Sequence, residues 1–307
     1  MNGDRSGGFP GFRRARSAVN GTEIEHVIGG SGPPLLLLHG YPQTHVMWRH
    51  VAPVLAQRFT VVAADLRGYG DSGKPATRAD HASYSKREMA RDQVELMRAL
   101  GFARFSVAGH DRGARVTHRM LLDHPASVER AAVLDIVPTL RMYEKTTQAF
   151  ASAYYHWFFL IQPAPFPERM IGADPAAYLR YNFGEGRPSR PAGLAPFLPD
   201  ALDEYIRCFS DSATIHATCE DYRAAASIDL EHDRADYGRN KVACPLLVLW
   251  GEQGVIQRCF DPIADWQDHA LDVRGHSMPC GHYIPEEQPQ QCAAALDAFF
   301  GAAGASG

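Results

Sequence analysis

Gly109-His110-Asp111-Arg112-Gly113 sets an acidic side chain between two glycines, directly after the short apolar run Phe105 to Ala108. Glycines on both sides of a reactive residue permit a sharp, strained strand-to-helix turn that exposes the central side chain. Here that side chain is a carboxylate, a poor nucleophile toward amides but a competent one toward a saturated carbon bearing a leaving group. The expected chemistry is displacement at carbon, with an ester on Asp111 as intermediate. Arg112 follows at once and Arg115 comes three residues later, on the same face of the helix that the turn would start. Two such guanidiniums make a fork for a substrate carboxylate, and the positive end of the helix adds to the field.

Hydrolysis of that ester needs a general base, and His282 in Cys280-Gly281-His282-Tyr283-Ile284-Pro285 is the candidate among fourteen histidines. The base needs an orienting acid. In Trp250-Gly251-Glu252-Gln253-Gly254 a glycine stands where a W-G-x-x-D segment would carry it. Asp135, directly after the apolar run Ala131 to Leu134, is the expected replacement, with Glu252 and Asp261 as weaker alternatives. Leu35 to Leu38 run into His39-Gly40-Tyr41-Pro42, so the backbone N–H of Tyr41, with that of Arg112, is expected to form an oxyanion hole.

These residues need a scaffold. Leu35–Leu38, Thr60–Ala64, Phe105–Ala108, Ala131–Leu134 and Leu246–Leu249 are short apolar runs bounded by turn residues, which predicts buried strands. Between the second and third, Ser85 and Glu88 make a capping box, Ala90, Val94 and Met97 keep helical spacing, and Gly101 supplies a stop. Strand and helix in alternation predict an α/β fold, a mostly parallel sheet flanked by helices, with reactive groups at the carboxyl ends of the strands. The rhythm breaks after Pro138 and resumes near Asp229. The stretch between, rich in proline and carrying Tyr154, Tyr155, Trp157, Phe158, Phe159 and Phe166, predicts an inserted cap that excludes water. The expected organisation is a core of residues 1–138 and 229–307 with a helical cap at 139–228.

Together, H-G-Y-P, D-L-R-G-Y-G-D-S (Asp65 to Ser72), G-H-D-R-G and G-H-Y resemble the α/β-hydrolase superfamily, and an Asp at the elbow resembles its dehalogenase and epoxide hydrolase branches. Arg112 and Arg115, the pair His156-Trp157 and the segment Cys219-Glu220-Asp221-Tyr222-Arg223 resemble the fluoroacetate (haloacetate) dehalogenases, over about Phe12 to Phe300. The resemblance implies an α/β-hydrolase fold, a 2-haloacetate substrate, a halide pocket of His156, Trp157 and Tyr222, and a homodimer. Fluoride is strongly hydrated, so such a pocket needs several donors to replace its water shell. An epoxide hydrolase is the alternative, with Tyr154, Tyr155, Tyr178 and Tyr222 available to protonate the opening oxygen, but an epoxide has no use for the arginine pair. A silent hydrolase-fold receptor predicts loss of nucleophile or base, and Asp111 and His282 both stand.

Composition narrows the field. A chain of 307 residues with 45% apolar and 21% charged residues has the makings of a large core. A net charge of -4 without a long basic run argues against nucleic acid, and no apolar stretch approaches the roughly 20 residues of a membrane span. Six scattered cysteines without a C-x-x-C pair argue against a zinc ribbon or a disulfide framework. Met1 to Gly8 lack the apolar core of a secretory signal, which predicts a cytoplasmic protein, and Gly301 to Gly307 are expected to fray. The expected reaction calls for no cofactor and no metal.

Overall fold

The computed structural model describes residues 8–187, 190 and 192–302. Most of Met1–Gly8 and of the Gly301–Gly307 tail therefore lies outside the described residues. Eight strands form one sheet: β1 (Arg13–Val19), β2 (Thr22–Gly29), β3 (Pro34–Leu38), β4 (Thr60–Ala64), β5 (Phe105–His110), β6 (Val128–Leu134), β7 (Leu246–Gly251) and β8 (Val273–Met278). Their order is β1-β2-β4-β3-β5-β6-β7-β8. β1 and β2 pair antiparallel, β2 runs antiparallel to β4, and every pair from β4 to β8 is parallel. This is the mostly parallel α/β sheet expected.

All five apolar runs are strands here, and they are the inner ones. Strands covered on both faces read as unbroken apolar stretches. Leu35 to Leu38, Val61 to Ala64 and Ala131 to Leu134 are accordingly fully buried. The strands without such a signal are the hairpin β1–β2 and the edge strand β8. β1 shows the solvent its arginines and buries only Val19 fully, and β8 has Met278 as its only buried residue.

The helix Lys86–Ala99 starts as its capping box predicts, with Ser85 accepting from the Glu88 N–H. It ends at a left-handed Gly101, φ +94°, where Gly101 N–H bonds Arg98 O and Phe102 N–H bonds Met97 O, a Schellman closure. The helix Arg112–Asp123 follows β5 without a break and is buried through most of its length. Between β6 and β7 the chain forms no strand among the described residues. It runs through helices from Thr139–Glu144 to Ile228–Asp236, and these meet the strand ends where β3 and β5 deliver Tyr41 and Asp111.

Candidate active site

Asp111 sits between β5 and its helix at φ 43° and ψ −111°, a conformation that side chains other than glycine rarely adopt. The flanking glycines explain how the turn closes. A Cβ on Gly109 would lie 2.5 Å from the Gly113 carbonyl, and one on Gly113 would lie 2.5 Å from the carbonyl of His39. The Gly113 N–H instead bonds that carbonyl at 2.9 Å, which pins the helix start to β3. The Asp111 carboxylate is buried and accepts the Tyr41 N–H at 3.0 Å. Arg112 N–H makes no capping bond to it, so one of the two expected oxyanion donors engages the resting carboxylate. Burial by itself would raise the Asp111 pKa. His282, Arg115, His110 and Arg112 oppose it and hold the carboxyl at about 2.

His282 lines the same cavity as Asp111. Its Nδ1 lies 2.5 Å from Asp135 Oδ2, and Asp135 Oδ1 accepts the Gly251 N–H at 3.0 Å. Both oxygens of Asp135 are thereby engaged at the end of β6. A Cβ on Gly254 would lie 3.0 Å from the Gly251 carbonyl and in ordinary contact with the Asp135 carboxylate, 3.4 Å from Oδ1 and 3.7 Å from Oδ2. Of the alternatives, Asp261 caps the helix Pro262–Gln267 and Glu252 is exposed. Neither is bonded to His282 among the described residues.

The arginine pair departs from the expected open fork. Arg112 is fully buried and spends Nε and Nη2 on the Asp221 carboxylate, both at 2.8 Å, leaving Nη1 without a partner. Arg115 turns the other way. Its Nη1 donates to Thr139 Oγ1 at 2.9 Å and its Nε is unpartnered. The two residues diverge because their partners do: Asp221, from the helix Ser212–Ala225, holds Arg112, while Val137 and Thr139 hold Arg115. Each guanidinium therefore offers one free donor rather than a two-pronged clamp. Asp221 was missed as a functional residue. Its carboxylate also accepts Tyr69 Oη–H at 2.6 Å and the Lys86 ammonium. Its only signal was its place in the C-E-D-Y-R segment, and Lys86 had none.

On the cap side His156, Trp157 and Tyr222 do come together. Their rings pack edge to face, Tyr222 against His156 at 5.9 Å and against Trp157 at 6.2 Å, with Tyr41 stacked on His156 at 6.0 Å. Arg112 lies 4.1 Å from the Tyr222 ring centre and Arg115 lies 4.6 Å from that of Trp157. His156 lines the Asp111 cavity, whereas Trp157, Tyr222 and the two arginines stand behind its lining. Tyr222 Oη and His156 Nδ1 are buried without a partner among the described residues. Burial, with Arg190, drives the His156 pKa well below its usual value. Of the other tyrosines, Tyr154 Oη is 3.4 Å from His282 Nδ1, Tyr178 Oη accepts from Tyr41 Oη, and Tyr155 packs against Tyr181.

Residues 33–287 match the family described as the α/β hydrolase fold. The chain belongs to the α/β-hydrolase family. Within it, the chain is 49% identical to a fluoroacetate dehalogenase of Burkholderia sp, over 95% of this chain and 94% of that one. A soluble epoxide hydrolase of Corynebacterium sp. is 34% identical over 90% of this chain and 92% of its own. A solved α/β hydrolase of Nostoc sp PCC 7120 is 56% identical with a TM-score of 0.90, covering 94% of this chain and 98% of that one. No helix among the described residues is long and apolar enough to cross a membrane, and the six cysteines are free.

Proposed function

We propose that this α/β hydrolase cleaves the carbon–halogen bond of 2-haloacetates, fluoroacetate and chloroacetate, giving the 2-hydroxy acid and halide. One observation carries the reading. Arg115 is a buried cation with no carboxylate partner among the described residues, and it acts electrostatically on Asp111. A buried unpaired charge is costly. A substrate carboxylate would complete it while presenting the adjacent carbon to Asp111.

In this reading one Asp111 oxygen attacks the carbon and the halide leaves with the bonding pair, received by His156, Trp157 and Tyr222. His282 then takes a proton from water, which adds to the Asp111 ester carbonyl. The resulting oxyanion is met by the N–H groups of Tyr41 and Arg112. Collapse frees the hydroxy acid and regenerates Asp111 carrying one oxygen from water, and Asp135 steadies the imidazolium between these steps. The residues assigned are Asp111, His282 and Asp135 for the chemistry and Arg112 and Arg115 for the carboxylate. Residues 139–228 act as the cap. We place the enzyme in the cytoplasm as a homodimer.

A second reading rests on the buried, unpartnered Tyr222 hydroxyl, which would serve equally as proton donor to an opening epoxide. Halide release from fluoroacetate and chloroacetate, measured beside an epoxide control, separates the two. The proposed function requires halide release that falls by on the order of 10^4-fold in Asp111→Asn. Diol formation from the epoxide without halide release would overturn it, as would full turnover by the variant with its amide intact.

A further inference from the structure

The cavity holding Asp111 adjoins a larger one of about 530 Å3. The larger cavity reaches exposed positions at Ala192 and Gln253. Four residues line both spaces: Tyr154, Arg190, His282 and Tyr283. A small molecule passing from one to the other passes Arg190.

The Arg190 guanidinium lies 4.8 Å from the Tyr283 ring centre and donates Nη1–H to the carbonyl of Asn182 at 2.8 Å. It forms no ion pair among the described residues. Arg187, three residues earlier and tied to it by Arg190 N–H bonding Arg187 O at 3.0 Å, forms none either, and its buried Nη1 has no partner. Burial and the charge of Arg190 both pull the Arg187 pKa down. The one carboxylate lining the larger cavity is Glu287, whose oxygens are occupied by the N–H groups of Gly281 at 2.7 Å and Tyr283 at 2.8 Å. Arg187 lines neither cavity, but its charge adds to that of Arg190, and cations without counter-ions favour an anion at the one facing the passage, Arg190. The Tyr283 ring attracts that charge, but among the described residues no carboxylate neutralises it.

We propose that Arg190 is an anion-recruiting residue of the entrance, which draws the carboxylate of an incoming 2-haloacetate into the larger cavity and passes it to the Asp111 cavity. The inference rests on the proposed function and extends it. Each turnover admits one anion and discharges two with a proton, so the passage must favour anions throughout. Arg190 touches no reacting atom in this account and acts on encounter.

The test follows alkylation of Asp111 by chloroacetate in a His282→Asn background, using intact mass against substrate concentration and ionic strength. With Arg190→Gln added, the second-order constant should fall about tenfold at low salt, within the range of electrostatic steering. The deficit should close toward 1 M salt, where the Debye length is about 3 Å. The saturating rate should fall much less than the second-order constant, and Arg190→Lys should keep most of that constant. An unchanged second-order constant in Arg190→Gln overturns the inference. So does an equal, salt-independent loss in both variants, which would make Arg190 packing for Tyr283, or a matching fall in the saturating rate, which would put it at the reacting atoms. If no adduct forms even with Arg190 intact, the proposed function fails and this inference with it.

Discussion

The two walls of the Asp111 cavity are built on opposite terms. On the core wall most polar atoms are tied to protein: Asp111 Oδ2 to Tyr41 N–H, both Asp135 oxygens to His282 and Gly251, and His110 Nε2 to the His282 carbonyl at 2.8 Å, with His110 Nδ1 left unpartnered among the described residues. Toward the cap and behind the lining, buried polar atoms have no partner among the described residues: His156 Nδ1 and Tyr222 Oη of the cap and, from the core helix Arg112–Asp123, Arg112 Nη1 and Arg115 Nε. Buried polar groups are ordinarily satisfied, and each exception asks for a cause. The core wall has its geometry fixed before anything binds. The other leaves its donors for a ligand, and in the proposed function these are the groups that hold carboxylate and halide. Asp221 joins the two, since it leaves the cap helix Ser212–Ala225 to clamp Arg112 of the core.

Disabling the core wall should cost most. Asp135→Asn should slow ester hydrolysis by about 10^3- to 10^4-fold, because His282 loses its tautomer and its counter-charge. Single-turnover kinetics would show the Asp111 adduct accumulating. The comparison is sharpened by the double variant Asp135→Ala with Gly254→Asp, which should recover part of that loss by supplying a carboxylate from the space Asp135 vacates. If Asp135→Asn is nearly silent while Glu252→Gln or Asp261→Asn is slow, the acid has been misplaced.

On the cap wall the effects should be smaller and selective. Trp157→Phe keeps the ring over Arg115 and removes the indole N–H. A preorganised donor is worth about 2.7–4 kcal/mol, so fluoroacetate turnover should fall on the order of a hundredfold further than chloroacetate turnover. Equal losses for both halides would reduce Trp157 to packing.

The smallest effect concerns the seam between the walls. Glu286, in the core helix Ile284–Glu287, is buried, accepts the Tyr205 hydroxyl of the cap helix Pro199–Phe209, and takes Gln43 Nε2–H at 3.2 Å. Burial outweighs these donors and raises its carboxyl from 4.5 to about 7. A raised folded pKa contributes stability that is present below the unfolded value and lost as pH rises through the folded one. Urea unfolding at pH 5 and pH 8 should therefore show wild type weakening across that interval by on the order of 1 kcal/mol more than Glu286→Gln. Parallel pH profiles would contradict this.

Much of this molecule is legible along the chain because its inner parts are locally coded. A strand covered on both faces must be apolar throughout, so Leu35–Leu38 and Ala131–Leu134 announce themselves, while the edge strand β8 blends with loop sequence. Gly109 and Gly113 mark the elbow because no larger residue fits there. Gly254 points to Asp135 because it leaves the segment after Trp250-Gly251 without a carboxylate at that position. The clamp on Arg112 is a different matter. Asp221 lies 109 residues from its partner, and Lys86 opens a helix that reads as surface. Neither spacing nor periodicity links residues that only the folded cap brings together, and Arg190 escapes notice for the same reason.

Asp111 as the attacking group is tested most directly by intact-protein and peptide mass spectrometry of His282→Asn after incubation with chloroacetate. Displacement precedes the base-dependent step. The variant should release one halide per active site and stop, with a carboxymethyl group on Asp111. Unmodified protein, or a carboxymethyl group on another residue with Asp111 unchanged, would contradict it.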